Sequence, residues 1–163
     1  MPYRLEVTLK PELFDAEGES LRHKALDYFG IRLDTVRTVS VVTVDADLTA
    51  EQLEVIRREV FTNPVTQMSS YDPLPVPFDW TVWIGFRPGV RDNAASTGVE
   101  AVEDILGLKL APGENLYTSK RYCLVGRDLT EEGARRIARD LLTNDIVQQW
   151  TIFNAANWDS AEG

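Results

Sequence analysis

Cysteine and histidine are all but missing from this chain of 163 residues: one of each occurs, Cys123 and His23. A single cysteine excludes an internal disulfide and is compatible with a reducing compartment. A single histidine means that any Ser-His-Asp or Cys-His arrangement must use His23. Neither common glycine-rich phosphate loop is present, nor HExxH, nor CxxC. No apolar run approaches the roughly 20 residues that span a bilayer. The opening MPYRLEVTLK alternates like a strand and does not resemble a signal core. Positive charge is short too, with 17 basic against 26 acidic residues and a net charge of −9. Phosphate backbones and anionic lipid repel such a chain, so nucleic acid and membrane surfaces are poor partners. What is present is the composition of a soluble, cytoplasmic globular protein, long enough for one ordinary domain or two small ones.

The chain repeats itself. At an offset of 77, Leu9-Lys10-Pro11 aligns with Phe86-Arg87-Pro88, Asp15 with Asp92, and Gly30 with Gly107. At an offset of 81, Asp47-Leu48-Thr49 aligns with Asp128-Leu129-Thr130, Thr62-Asn63 with Thr143-Asn144, and Gln67 with Gln148. The change of offset implies a four-residue insertion between Gly107 and Asp128, most simply in KLAPGEN. The seam, DPLPVPFD at 72–79, holds three prolines and reads as a stiff linker. The organisation expected is one repeat over 1–71, the linker, a second repeat over 80–155, and a tail over 156–163.

Patterning within each repeat alternates between strand and helix. Tyr3, Leu5, Val7 and Leu9, like Trp80, Val82, Ile84 and Phe86, mark strands with one buried face. Asp15 and Asp92 suit helix N-caps, and Gly30 and Gly107 suit helix stops. Leu21, Ala25, Tyr28 and Phe29 face inward on one first helix, and Val99, Val102, Ile105 and Leu106 on the other. VRTVSVVTV and NLYTSKRYCLV follow, each long enough to bend or fold into a hairpin. Thr49 and Gln52 form a capping box ahead of Leu53, Ile56 and Val60, whereas Gly133 deprives Thr130 of the same partner. Last strands fall at about 65–71 and 146–153. The fold class is therefore α+β, with two tandem β-α-β(β)-α-β units related to the ferredoxin-like arrangement. Their antiparallel sheets are covered by helices on one face, and their open faces or edges cover each other as an internal pseudo-dimer. Trp83 falls on the open face, where the first unit has Glu6; it suits a partner contact or packing against the sister unit.

Catalytic residues are hard to find. His23 lies on the polar side of the first helix and reads as solvated, and Cys123 in YCLV reads as a small core residue. The carboxylates of VEDI and TEEG suit solvated positions and helix first turns. Arg135, Arg136 and Arg139 form a basic stripe on the last helix, as Arg57 and Arg58 do in the first unit; such a stripe is a solvated face or docks an acidic partner. Two loops stand out: Asp92-Asn93 before the small residues Ala94, Ala95 and Ser96, and Tyr117-Thr118-Ser119 at a strand start. Each suits a ligand or partner contact, or else capping and cross-strand hydrogen bonds. No metal site is indicated.

LKPELFDAEGESL and FRPGVRDNAASTGVEAVEDILG resemble the opening of the PurS family, the small non-catalytic subunit of phosphoribosylformylglycinamidine synthase. The resemblance continues through YTSKRYCLVG and DLTEEGARRIARDLLTNDIVQQW and runs once per repeat. The tandem form is similar to the N-terminal domain of longer synthetases that carry a fused PurS-like pair. The resemblance implies a bridging role in purine biosynthesis. It would join a PurL-type synthetase to a PurQ-type glutaminase in a ligase complex that consumes ATP and glutamine. Catalysis, ATP and magnesium would belong to those partners, with no cofactor and no catalytic residue on this chain. Contacts would come from Arg87, Asp92, Asn93, Tyr117, Thr118 and Ser119, with Trp83 and the arginine stripe as further interface positions. Self-association is compatible with this role, and the tail reads equally as an end or as the start of a linker into a longer synthetase. Two rival readings remain: a tandem ferredoxin-like regulator that binds small molecules between its units, and a small enzyme with His23 as base.

Overall fold

The computed structural model describes residues 2–87, 89–144 and 146–155; Pro88 and the tail at 156–163 lie outside them. The elements run Tyr3–Leu9 (β1), Ala16–Phe29 (α1), Thr35–Asp45 (β2), Ala50–Ile56 (α2), Gln67–Ser70 (β3), Trp80–Phe86 (β4), Asn93–Leu106 (α3), Asn115–Val125 (β5), Glu131–Ile137 (α4) and Gln148–Asn154 (β6). The strands form one antiparallel sheet of six, ordered β3-β1-β2-β5-β4-β6. Replacing each strand of the first half by its counterpart in the second reverses that order and leaves it unchanged.

The helix boundaries follow from their caps. Asp15 and Asp92 each accept the backbone N–H three residues on at 2.9 Å, satisfying a donor the helix cannot. Gly30 and Gly107 end α1 and α3 in the left-handed region, both at φ 66°, where a side chain would be strained. Thr49 and Gln52 complete the capping box of α2, while Thr130 caps α4 through the Gly133 N–H alone. Both of these helices then widen into a π turn, over Arg57–Phe61 and Ala138–Leu142, which sequence periodicity did not signal.

Neither VRTVSVVTV nor NLYTSKRYCLV folds into a hairpin. Each lies in one eleven-residue strand, because one stretch of its length pairs with its own half's first strand while the whole pairs with its counterpart. Each half is therefore β-α-β-α-β, and the halves meet edge to edge through β2 and β5. The insertion is also distributed differently from expectation. Thr38 and Thr118 make matching contacts at an offset of 80, whereas the caps Thr49 and Thr130 stand at 81. Three residues thus enter the loop before β5 and one enters the loop before α4.

All four helices pack on one face of the sheet, and their cores mix the halves. Leu5, Val7, Val44 and Ile56 pack with Val102 and Leu116, bringing α2 beside α3. Leu21, Ala25 and Val36 pack with Val82, Leu124 and Ile137, bringing α1 against the π turn after α4. Tyr28 and Ile105, expected inward, are exposed, because the sheet-facing stripe of each helix is narrower than its apolar run. The opposite face departs further from expectation. Glu6, Thr8, Thr81 and Arg121 point there yet are buried. The segment 72–79 crosses that face from β3 to β4, laying Val76 and Phe78 with Trp83 on Val39, Val41 and Cys123. The edges of the two halves thus cover one another through β2 and β5, but the open faces do not; the linker covers the middle of that face, over residues of both halves. Among the described residues no helix is long and apolar enough to cross a membrane.

Candidate functional site

The most distinctive polar arrangement is the clasp made by each capping aspartate. Besides capping α3, Asp92 accepts from the Thr118 N–H and hydroxyl, all at 2.8 Å. Asp15 does the same with Thr38, at 2.7 Å from N–H and 2.9 Å from hydroxyl. One short carboxylate thus ties a helix start to the middle strand of its half, using both oxygens as acceptors; Asn has the reach but only one acceptor oxygen. The spacing expected the caps; it did not expect the strand contact.

Beyond the clasp the halves diverge. Arg37 donates to the carbonyls of Leu9, Lys10 and Leu13, at 3.2, 3.1 and 2.9 Å, closing the turn after β1 onto the sheet. At the matching register β5 has Tyr117, which is 49% exposed. Ser119, next on that face, accepts from Trp83 Nε1 at 2.7 Å. Trp83 lies half-buried on Val39 and Val41 of the first half, with the Arg4 guanidinium 5.0 Å from its ring centroid. Gln149, Thr151 and Phe153 of β6 complete a shallow depression of about 530 Å³ around Trp83, Tyr117 and Ser119. Arg87 is exposed just beyond β4 and donates its N–H to Val147 at 2.9 Å. Asn93 opens α3 and is exposed. The two loops singled out by sequence therefore converge at one end of the sheet.

Under the linker the same face is closed. Arg121 donates to Glu6 at 3.0 Å and to the Cys123 sulfur at 3.4 Å, while Glu6 also accepts the Leu74 N–H at 2.9 Å. Phe78 caps the guanidinium at 5.6 Å. The linker is thus pinned by a buried charge pair, a role sequence reasoning missed; its signal was a glutamate and an arginine at mid-strand positions. Burial pushes the Cys123 thiol up from its ordinary range, with Arg121 opposing.

The remaining sequence candidates lie elsewhere. Arg135, Arg136 and Arg139 sit with α4 on the helix-bearing side. Arg135 pairs with Glu131 at 2.9 Å, Arg136 stacks on Phe29 at 4.0 Å, and Arg139 contacts Asp140 at 3.1 Å. They do not join the Tyr117 cluster. His23 is exposed on α1, 3.1 Å from Glu19. No group of three or more His, Cys, Asp or Glu is gathered as a metal site needs, among the described residues. No family model matches the chain, and no curated protein matches it in sequence.

Proposed function

We propose that this chain is a non-catalytic bridging component of a phosphoribosylformylglycinamidine synthase, built as two tandem PurS-like units that form an internal pseudo-dimer. The observation that carries the reading is the repetition of the Asp–Thr clasp, Asp15 with Thr38 and Asp92 with Thr118, at equivalent points of two halves of identical element order. That repetition reaches the same PurS-like motifs on which the resemblance rests.

The divergence between the halves supplies the bridging surface. The linker closes the middle of the sheet face; at the end of the second half, Tyr117, Ser119 and Phe153 stay accessible beside Arg87 and Asn93. Aromatic rings with a polar rim are the usual anchors of a protein interface. We assign this end of the sheet to the synthetase, and the α4 arginines, on the opposite side, to a second acidic partner such as the glutaminase. ATP, magnesium and the reacting groups belong to those cytoplasmic partners.

The test is glutamine-dependent formation of formylglycinamidine ribonucleotide by the synthetase and glutaminase, with and without this chain, beside an ammonia-dependent control. The reading expects only the glutamine reaction to need the chain. Unchanged rates and no co-elution with either partner would overturn it.

A further inference from the structure

We propose that the helix-bearing face holds a binding site for a small amphipathic anion, an aliphatic or aromatic carboxylate, in a cavity next to Lys120. The cavity, of about 440 Å³, lies at the middle of the sheet, where Ser40 of β2 pairs with Lys120 of β5. That volume falls among those of small-molecule sites, ~300–1,000 Å³.

The cavity arises because the two halves are filled unequally. On one side of the Ser40–Lys120 pair, Glu17 of α1 reaches the sheet, accepting from Lys120 Nζ at 2.6 Å and from the Tyr122 hydroxyl at 3.1 Å. The positions equivalent to Glu17, Lys120 and Tyr122 on the other side are Ala94, Ser40 and Val42. All three are smaller, and none of them is charged. The space that a carboxylate and a tyrosine ring occupy on one side is therefore left open on the other, and Ala94, Ser40 and Val42 all line it.

What remains around that space selects the occupant. Phe61 and Leu142, brought in by the two π turns, form apolar walls with Ile84 and Phe86. The polar lining is mostly engaged: Thr118 holds Asp92, Ser119 accepts from Trp83, and Gln148 accepts the Asn144 N–H at 2.9 Å. The Gln148 amide and the Ser119 hydroxyl keep donors beside these bonds, and two further lining groups keep more of their capacity. Lys120 makes one of the three bonds an ammonium can donate, and the Ser40 hydroxyl has no partner, among the described residues. Lys120 is also the one charged side chain among the described residues that line the space. One cation, one hydroxyl and an apolar body between aromatic walls fit a monoanion with a hydrophobic tail. Glu17 supplies the precedent, as a carboxylate already held by the same ammonium.

Octanoate is the probe, titrated into the full-length protein by calorimetry, with octylamine and octanol as controls of matching length. Saturable binding of one octanoate per chain is expected, with octylamine and octanol at least tenfold weaker. Two variants locate the site. Ser40→Phe fills the space, and Ala94→Glu supplies a tethered carboxylate that mimics Glu17; each should abolish binding while the far-ultraviolet spectrum and melting transition stay native. Lys120→Met should weaken octanoate at least tenfold and leave octanol unchanged. No saturable octanoate binding to the wild-type chain would overturn the proposal. Full binding by natively folded Ser40→Phe and Ala94→Glu would do so as well.

Discussion

Arg121 donates to the Glu6 carboxylate at 3.0 Å from 115 residues away in sequence, and both side chains are almost wholly removed from solvent. The bond crosses from β1 to β5 over the intervening β2, so it joins the halves independently of the backbone ladder. Removing one member leaves a buried charge without its partner, a loss of about 3–5 kcal/mol. Glu6→Ala and Arg121→Met are each expected to lose that much in urea unfolding. The paired apolar replacement Glu6→Leu with Arg121→Met should recover most of it. If the double variant is as unstable as the worse single one, uncompensated charge is not the cause.

The two aspartate clasps differ in burial, and so should their substitutions. Asp15 is buried and Asp92 half-buried. Losing an N-cap costs about 0.5–2 kcal/mol, and a buried N–H left unpaired adds about 1–3 kcal/mol. Asp15→Ala is therefore expected to lower stability more than Asp92→Ala. Equal midpoints in denaturant would show that burial does not set the difference.

Two glycines should respond in opposite directions. A Cβ on Gly18 would lie 2.1 Å from the Val36 carbonyl oxygen, against backbone that cannot yield cheaply. Gly18→Ala should prise α1 off β2 and destabilise the protein by several kcal/mol, an overpacking effect at the high end of ~1–3 kcal/mol or beyond. At Gly133 a Cβ would meet its nearest neighbours at 3.4 Å. Gly133→Glu completes the box that Thr130 begins and removes a helix glycine, worth about 1 kcal/mol of stabilisation. Thermal melts of the two variants decide both.

The bridging surface predicts a separation of function from stability. Tyr117→Ala and Arg87→Ala should each lower the glutamine-dependent rate about tenfold at limiting chain, as loss of an interface anchor worth roughly 1.4 kcal/mol does. Their unfolding midpoints should match wild type, and the ammonia-dependent rate should not move. Wild-type glutamine rates in both variants would remove the assignment of this surface.

Cys123 should be chemically silent. It is fully buried, its sulfur is 3.8 Å from the Thr81 hydroxyl, and burial raises its pKa, so thiolate is scarce at neutral pH. Reaction with a disulfide reagent should follow global unfolding, speeding up in urea along the spectroscopic transition. Rapid labelling of the native protein would mean that the linker opens locally.

Much of the scaffold is legible in the sequence because it is specified locally. Asp15, Asp92, Gly30, Gly107 and Thr49 act within one turn of their own positions, so spacing alone identifies the helix ends. The clasp to Thr38 and Thr118 was not legible, since it joins residues 23 and 26 apart with no periodic signature. Glu6 and Arg121 look like solvent-face residues by alternation; they are buried only because a segment remote from them in the chain lies on top. Tyr28 and Ile105 fail in the opposite sense, since apolar spacing does not report how wide a stripe the sheet accepts. The cavity beside Lys120 was invisible for a related reason: it depends on three separate replacements meeting in space.

The interleaving of α1 with the π turn after α4, and of α2 with α3, bears on how the protein comes into being. A ribosome that has delivered residues 1–79 has made three strands and two helices, yet α1 lacks its neighbour and β2 still shows an eleven-residue unpaired edge. Such an edge is a template for wrong pairing. The proline-rich seam is thus a punctuation mark in the text but not a place where a nascent chain can rest. A product cut at the seam would keep eight of the eleven buried residues of one core while leaving β2 unpaired along its length, so it is expected to be less stable and more prone to misassociate than the whole chain.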